Sequence, residues 1–224
     1  MVDVRRSASP RRARLLGVIS CAFVVAAAML TSVTPASAAG QTPLNKNLLV
    51  NPGAEAGPTG ARLIPGWTHG GDFGVVKYGT AGGFPTVAES HRIRGGSQFF
   101  SAGSQVDANN CASASQIVPI VGRNQQLRGK HLEVLLSAYL ATYGNQTDAA
   151  EVQLDFYDGS KTRFDGLVEP EVSATNGLFE HQTATPYKLS AKTRYIGISL
   201  LTYSHQGQYC DGYFDKLSLK LSLT

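Results

Sequence analysis

The stretch Glu151-Val152-Gln153-Leu154-Asp155-Phe156-Tyr157-Asp158-Gly159 decides the fold. Val152, Leu154 and Phe156 alternate with Glu151, Gln153, Asp155 and Tyr157. A period of two is the mark of a strand with one face in a core and the other in water. Asp158-Gly159, directly after it, is a hairpin-turn signal. The same alternation runs through 194–203, where Ile196, Ile198 and Leu200 interleave with Tyr195, Gly197, Ser199, Leu201 and Tyr203. Outward from these two, short apolar or alternating runs at 47–50, 74–78, 98–102, 114–119, 131–141, 179–183 and 212–223 read as strands, with Gly, Pro, Asn and Asp between them. Apolar residues nowhere recur at helical spacing over three turns. The reading is all-β: a β-sandwich jelly roll of two antiparallel sheets. Residues 132–140 are apolar on both parities, which leaves their buried face open.

The ends and the charge place the chain outside the cell. Arg5, Arg6, Arg11, Arg12 and Arg14 form a basic leader, followed by an apolar run from Leu15 to Leu30 and then Ala36-Ser37-Ala38. These are the three parts of an export signal, with cleavage after Ala38. The apolar run of 16 residues is shorter than the roughly 20 that a spanning helix needs. Arg11-Arg12 leaves the twin-arginine route open beside the general one, although Arg14 stands where that signal prefers an apolar residue. Five of the 20 basic and one of the 16 acidic residues fall within 1–38, so 39–224 carries 15 of each. A net charge of zero offers no basic field to nucleic acid or an anionic membrane. It suits a neutral partner such as an uncharged polysaccharide. Cys111 and Cys210 are the two cysteines of the mature part, and an even pair in an exported chain predicts a disulfide. Residues 39–46 read as a polar lead-in and 47–224 as a single domain.

Three segments carry a resemblance. The first is Asn47-Leu-Leu-Val-Asn-Pro-Gly-Ala-Glu55 with Pro65-Gly-Trp67 after it; the second is Ser115-Gln-Ile-Val-Pro119 with the apolar run 132–140; the third is Gly212-Tyr-Phe-Asp-Lys-Leu-Ser-Leu219. In this order they resemble the β-jelly-roll carbohydrate-binding modules of the family 4, 9 and 22 type, within the galactose-binding-like fold. The chain departs from that pattern at Ala54, where an aromatic is usual, and at Lys216, where a second acid is common. The resemblance implies a structural calcium ion held by Glu55 from the first strand and Asp215 from the last, with the Gly96 carbonyl beside them. Carboxylate and carbonyl oxygens are what a hard cation takes.

Sugar rings stack their C–H faces on aromatic side chains while fixed polar groups take their hydroxyls. Gln153, Asp155 and Tyr157 form one outward row of both kinds, and Tyr139, Tyr143, Tyr203 and Trp67 are the candidate aromatic additions. For the tyrosines the competing fate is half-buried sheet packing, and for Trp67 it is packing a loop over the sandwich edge. Catalysis has less to stand on. Glu169-Pro-Glu171 are close carboxylates in a Pro-bearing loop, the five histidines are scattered, and no nucleophile or metalloprotease motif occurs. The expected function is a secreted, non-catalytic, glycan-binding module. The alternatives are a jelly-roll lyase or hydrolase, and a structural or adhesive surface protein.

Overall fold

The computed structural model describes residues 40–60, 63–102, 111–122, 131–206 and 209–224. The export-signal reading of 1–38 lies outside the described residues. The chain forms β1 (Thr68–Gly70), β2 (Gly74–Lys77), α1 (Val87–Ile93), β3 (Gln98–Ser101), β4 (Ser113–Pro119), β5 (Leu132–Thr142), β6 (Ala149–Tyr157), β7 (Arg163–Val168), β8 (Val172–Ser173), β9 (Glu180–Thr183), β10 (Tyr187–Lys188), β11 (Tyr195–Tyr203) and β12 (Gly212–Leu223). One sheet runs β1-β4-β11-β6-β7 with β8 also on β6; the other runs β10-β5-β12-β3-β2 with β9 also on β5. Every pairing is antiparallel. This is the two-sheet jelly-roll sandwich that the alternation predicts.

The core lies between the inner faces. From the first sheet come Val152, Leu154, Phe156, Ile196, Ile198 and Leu200; from the second come Val134, Leu136, Leu140, Phe214, Leu219 and Leu221. The ambiguous run 132–140 resolves here: Leu132, Val134, Leu136, Ala138 and Leu140 face the core, while Glu133, Leu135, Ser137 and Tyr139 are half-buried on the outside. That outer side explains the double apolar parity, because part of it is covered too. Phe99, Tyr213 and Ala141 on the outer side of the second sheet pack against Tyr78, Ile93 and Phe179 as a second, smaller core.

The cover is α1, which sequence reading missed because seven residues are too few for helical spacing to show. Its ends are nonetheless capped. Thr86 accepts a hydrogen bond from the Glu89 N–H at the start, and Arg94 closes the helix in the left-handed conformation. The short strands β1, β7, β8 and β10 were also missed. The expected strand at 47–50 is instead an irregular segment beside β12. Asn45 and Leu48 donate backbone bonds to Leu221 and Leu219, and the Asn47 side chain bonds the Leu217 carbonyl and the Leu219 N–H. An asparagine side chain thus replaces ladder bonds that a regular strand would make.

The Cys111–Cys210 disulfide forms, with Cα atoms 5.5 Å apart. Cys111 precedes β4 of one sheet and Cys210 precedes β12 of the other, so the bond staples the sheets at one end. Closing a loop of 99 residues removes denatured-state entropy equivalent to ~4.7 kcal/mol in the chain-entropy model.

Candidate functional site

Register places the outward residues of the first sheet in three lines across the strands. One line runs Thr68, Ser115, Ser199, Gln153 and Val168; the next runs Ile117, Gly197, Asp155 and Gly166; the third runs Pro119, Tyr195, Tyr157 and Arg163. Directly opposed residues of antiparallel strands share a face. A row of hydroxyls and an amide therefore lies beside a carboxylate flanked by glycines, and an aromatic pair with a guanidinium lies beyond it.

The two glycines shape the middle line. A Cβ on Gly197 would stand 3.0 Å from Tyr157 Cε2, so the Tyr157 ring lies across that glycine. A Cβ on Gly166 would stand 2.7 Å from an Arg163 guanidinium nitrogen and 3.2 Å from Asp155 Oδ1. Arg163 donates through Nε to Asp155 Oδ1, and Gln153 Nε2 donates to the same oxygen at 2.9 Å. Arg163, Asp155 and Gln153 are thus already oriented by one another. Tyr157 is raised above the usual phenol range, first by burial and then by the Asp155 charge, so its hydroxyl stays protonated. Ile117, 57 % exposed, and Val168, 53 % exposed, add apolar surface at the sides.

Gln153, Asp155 and Tyr157 stand where the alternation puts them, and Tyr203 shares their face. Tyr203 donates to Glu151 at 3.0 Å and is pushed up to about 12 by burial and that carboxylate. His205 stacks beside Tyr203 and meets Glu171 at 3.3 Å. Three expected aromatics are elsewhere. Trp67 is 7 % exposed, packs edge-on to Phe100 at 5.3 Å, and donates Nε1 to the carbonyls of Val50 and Asn51. It is a core residue that ties the N-terminal segment down. Tyr139 lies on the second sheet, stacked on His181 at 4.7 Å. Tyr143 follows β5 and lines a separate hollow with Phe84, Tyr209 and Tyr213. Glu169 is buried and Glu171 exposed, where it meets His205. Arg163 was missed, although the Asp158-Gly159 turn signals that a partner strand follows it.

Glu55 and Asp215 line one hollow at the other sheet, together with Gly95 and Gly96. Glu55 accepts from the N–H groups of Ser97 and Gln98 at 2.9 Å each and from the Ser97 hydroxyl at 2.6 Å. Asp215, with no exposure, accepts from the Lys216 N–H and the Tyr78 hydroxyl at 2.6 Å each. It sits at the bulge where the β5–β12 register shifts between Asp215 and Ser218, with Lys216 at φ 47°. A Cβ on Gly95 would stand 2.4 Å from Asp215 Oδ2, and one on Gly96 2.4 Å from Glu55 Oε1. Only glycine lets the backbone come this close to both carboxylates. Burial raises Asp215 to about 7, and the Glu55 charge adds to the rise.

No family model matches the chain, and no curated protein matches it. Solved structures do. A Stig cyclase, Fisc from Fischerella sp. TAU, in complex with (3Z)-3-(1-methyl-2-pyrrolidinylidene)-3H-indole, matches at 14 % identity and a TM-score of 0.57, over 80 % of this chain and 98 % of that one. The enzymatically active domain of tailspike protein 4 from bacteriophage CBA120 matches at 13 % identity and a TM-score of 0.51, over 79 % of this chain. The match spans about a fifth, 21 %, of the tailspike chain's length. The module TmCBM61, in complex with β-1,4-galactotriose, matches at 17 % identity and a TM-score of 0.47, over 78 % of this chain and 97 % of that one. At these identities the likeness to the cyclase and to the tailspike domain is one of fold.

Proposed function

We propose that the protein is a secreted, non-catalytic glycan-binding module whose outer first-sheet face takes a neutral polysaccharide or cell-wall glycan. The observation that carries this reading is the Arg163–Asp155–Gln153 chain set beside the Tyr157 ring on Gly197. Mutually oriented donors and acceptors lose little freedom when sugar hydroxyls replace water. The ring supplies a stacking face of modest area. The neutral charge of 39–224 and the disulfide agree with an extracellular partner of this kind. No described helix is long and apolar enough to cross a membrane. Retention on affinity gels cast with a panel of neutral polysaccharides tests the reading, with product release assayed on the same panel. Retention without products supports it; products, or no retention on any gel, count against it.

We further propose a structural Ca²⁺ at the Glu55–Asp215 cradle. The donors are oxygens, as a hard cation requires, and Glu55, Gly96 and Asp215 line one hollow. The described bonds to this buried carboxylate come from a phenol and a backbone N–H, and the Lys216 charge offsets burial only in part, so a cation would supply the further positive charge. Glu55 and Asp215 would hold it, with the Gly96 carbonyl, which also accepts from the Ser90 hydroxyl, as the third oxygen, and so tie the N-terminal segment to β12.

A further inference from the structure

A second hollow, away from the glycan face, opens beside the end of β5. It encloses about 290 Å³ between Phe84, Tyr143, Gln146, Tyr209, Asp211 and Tyr213. Its walls are held from several sides. Tyr213 pairs with Ala141 across β12 and β5, and the Tyr143 N–H bonds the Asp211 carbonyl. The disulfide at Cys210 directly precedes Asp211. Phe84 packs on Tyr213 at 5.7 Å, and Gly83, at φ +88°, lies so close that a Cβ there would come within 2.4 Å of the Tyr143 ring.

The electrostatics of the hollow are one-sided. Among the described residues no cation pairs with Asp211. Behind it stands Asp148, fully buried. Its Oδ1 accepts from the N–H groups of His205 and Gln206 at 2.8 Å each, while its Oδ2 is buried with no hydrogen-bond partner among the described residues. The two carboxylates are close enough to repel, and burial together with that repulsion pushes Asp211 up to about 6. Four aromatic side chains share the lining, and an aromatic ring attracts a cation brought over its face. A neutral ligand would leave this charge uncompensated. A hard metal ion would prefer oxygens to rings. An alkylated ammonium satisfies both features, its charge against the carboxylate and its methyl groups against the rings.

We propose that this hollow binds a small organic cation with an alkylammonium head. Calorimetric titration of the full protein with choline tests it, with 3,3-dimethylbutan-1-ol as the uncharged isostere. Choline is expected to bind at least about tenfold more tightly than the alcohol, since both the carboxylate and the cation–π attraction need the charge. Asp211→Asn should weaken choline by about tenfold or more. Tyr209→Ala should weaken it too. Tyr209 is 43 % exposed, so that variant should melt with the wild type and keep the test independent of folding. Equal binding of choline and alcohol, undiminished binding to Asp211→Asn, or no choline heat at all would overturn the proposal. The glycan-face reading stands or falls separately, since Tyr157 and Gln153 lie on the other sheet.

Discussion

The Tyr78 hydroxyl donates a 2.6 Å hydrogen bond to Oδ2 of Asp215 inside the protein, joining the end of β2 to the bulge of β12. Burial moves both groups toward their protonated forms: Asp215 rises to about 7 and Tyr78 lies far above the usual phenol range. The ionised carboxylate is therefore costly where it sits. The Lys216 charge relieves it only in part, and the Lys216 Nζ bonds the Arg94 carbonyl rather than the carboxylate.

A cation at this point should act on stability before it acts on anything else. Chelation is expected to lower the melting temperature by about 5–10 °C, from the linkage of an ion in large excess over its Kd and the usual scaling for a domain of this size. Asp215→Asn removes the charge and should melt at one temperature with or without chelator. Scanning calorimetry of both proteins, with and without added Ca²⁺, checks this. An unchanged wild-type melt in chelator counts against the ion.

Asp211 makes a pH prediction of its own. Burial first, then the Asp148 charge, places its folded pKa at about 6, above the unfolded value near 4. The folded state holds that proton more tightly. The stability it contributes is fully present below about pH 4 and is lost as pH rises through about 6. Asp211→Asn mimics the protonated form at every pH. The variant should therefore gain on the wild type as pH rises from about 5 to about 7, a trend that denaturant melts would reveal. A difference independent of pH would place the carboxyl in water.

How much of this was legible in the residues depends on the length of each pattern. The strands at 149–157 and 195–203 were readable because the even-numbered residues are buried in the core while most of the odd-numbered ones are partly open. The run 132–140 was not, because α1 and Phe179 cover part of its outer side, and hydrophobicity on both parities hides the register. The face residues Gln153, Asp155 and Tyr157 followed from alternation alone. Their neighbours Ser115 and Arg163 follow only from register, which is a property of pairs of strands. The pairing of Glu55 with Gly96 spans 41 positions (96 − 55) and came from a family resemblance, since no local spacing encodes it.

Trp67 separates packing from recognition. It is the sole tryptophan of the chain, so its fluorescence reports one site. Buried against Phe100 and bonded to two carbonyls, it should emit at short wavelength, and its spectrum should not move when polysaccharide is added. Trp67→Ala should cost ~3–5 kcal/mol in denaturant unfolding, as large-to-small changes in cores do. A quench by saturating glycan, or a near-neutral Trp67→Ala, would return this residue to the list of sugar contacts.

The glycan face can be tested through a residue that touches no ligand. Gly197 has no side chain, and the Tyr157 ring occupies the space above it. Its backbone lies in a regular strand, paired with Asp155 on one side and Ile117 on the other. Valine suits such a strand, so the backbone should accept Gly197→Val. The branched side chain cannot share the space with the ring, because even a Cβ would come within 3.0 Å of Tyr157 Cε2. Tyr157 must then swing away from Asp155. On a polysaccharide that retains the wild type, Gly197→Val should run as fast as Tyr157→Ala. Gln153→Ala should weaken retention less than either. Ser199→Ala, one step along the same strand, should retain most of the binding and melt within roughly 0.5 kcal/mol of wild type, as surface changes usually do. If Gly197→Val and Tyr157→Ala both keep wild-type mobility, the ring on Gly197 is packing alone, and the glycan reading of this sheet loses its main support.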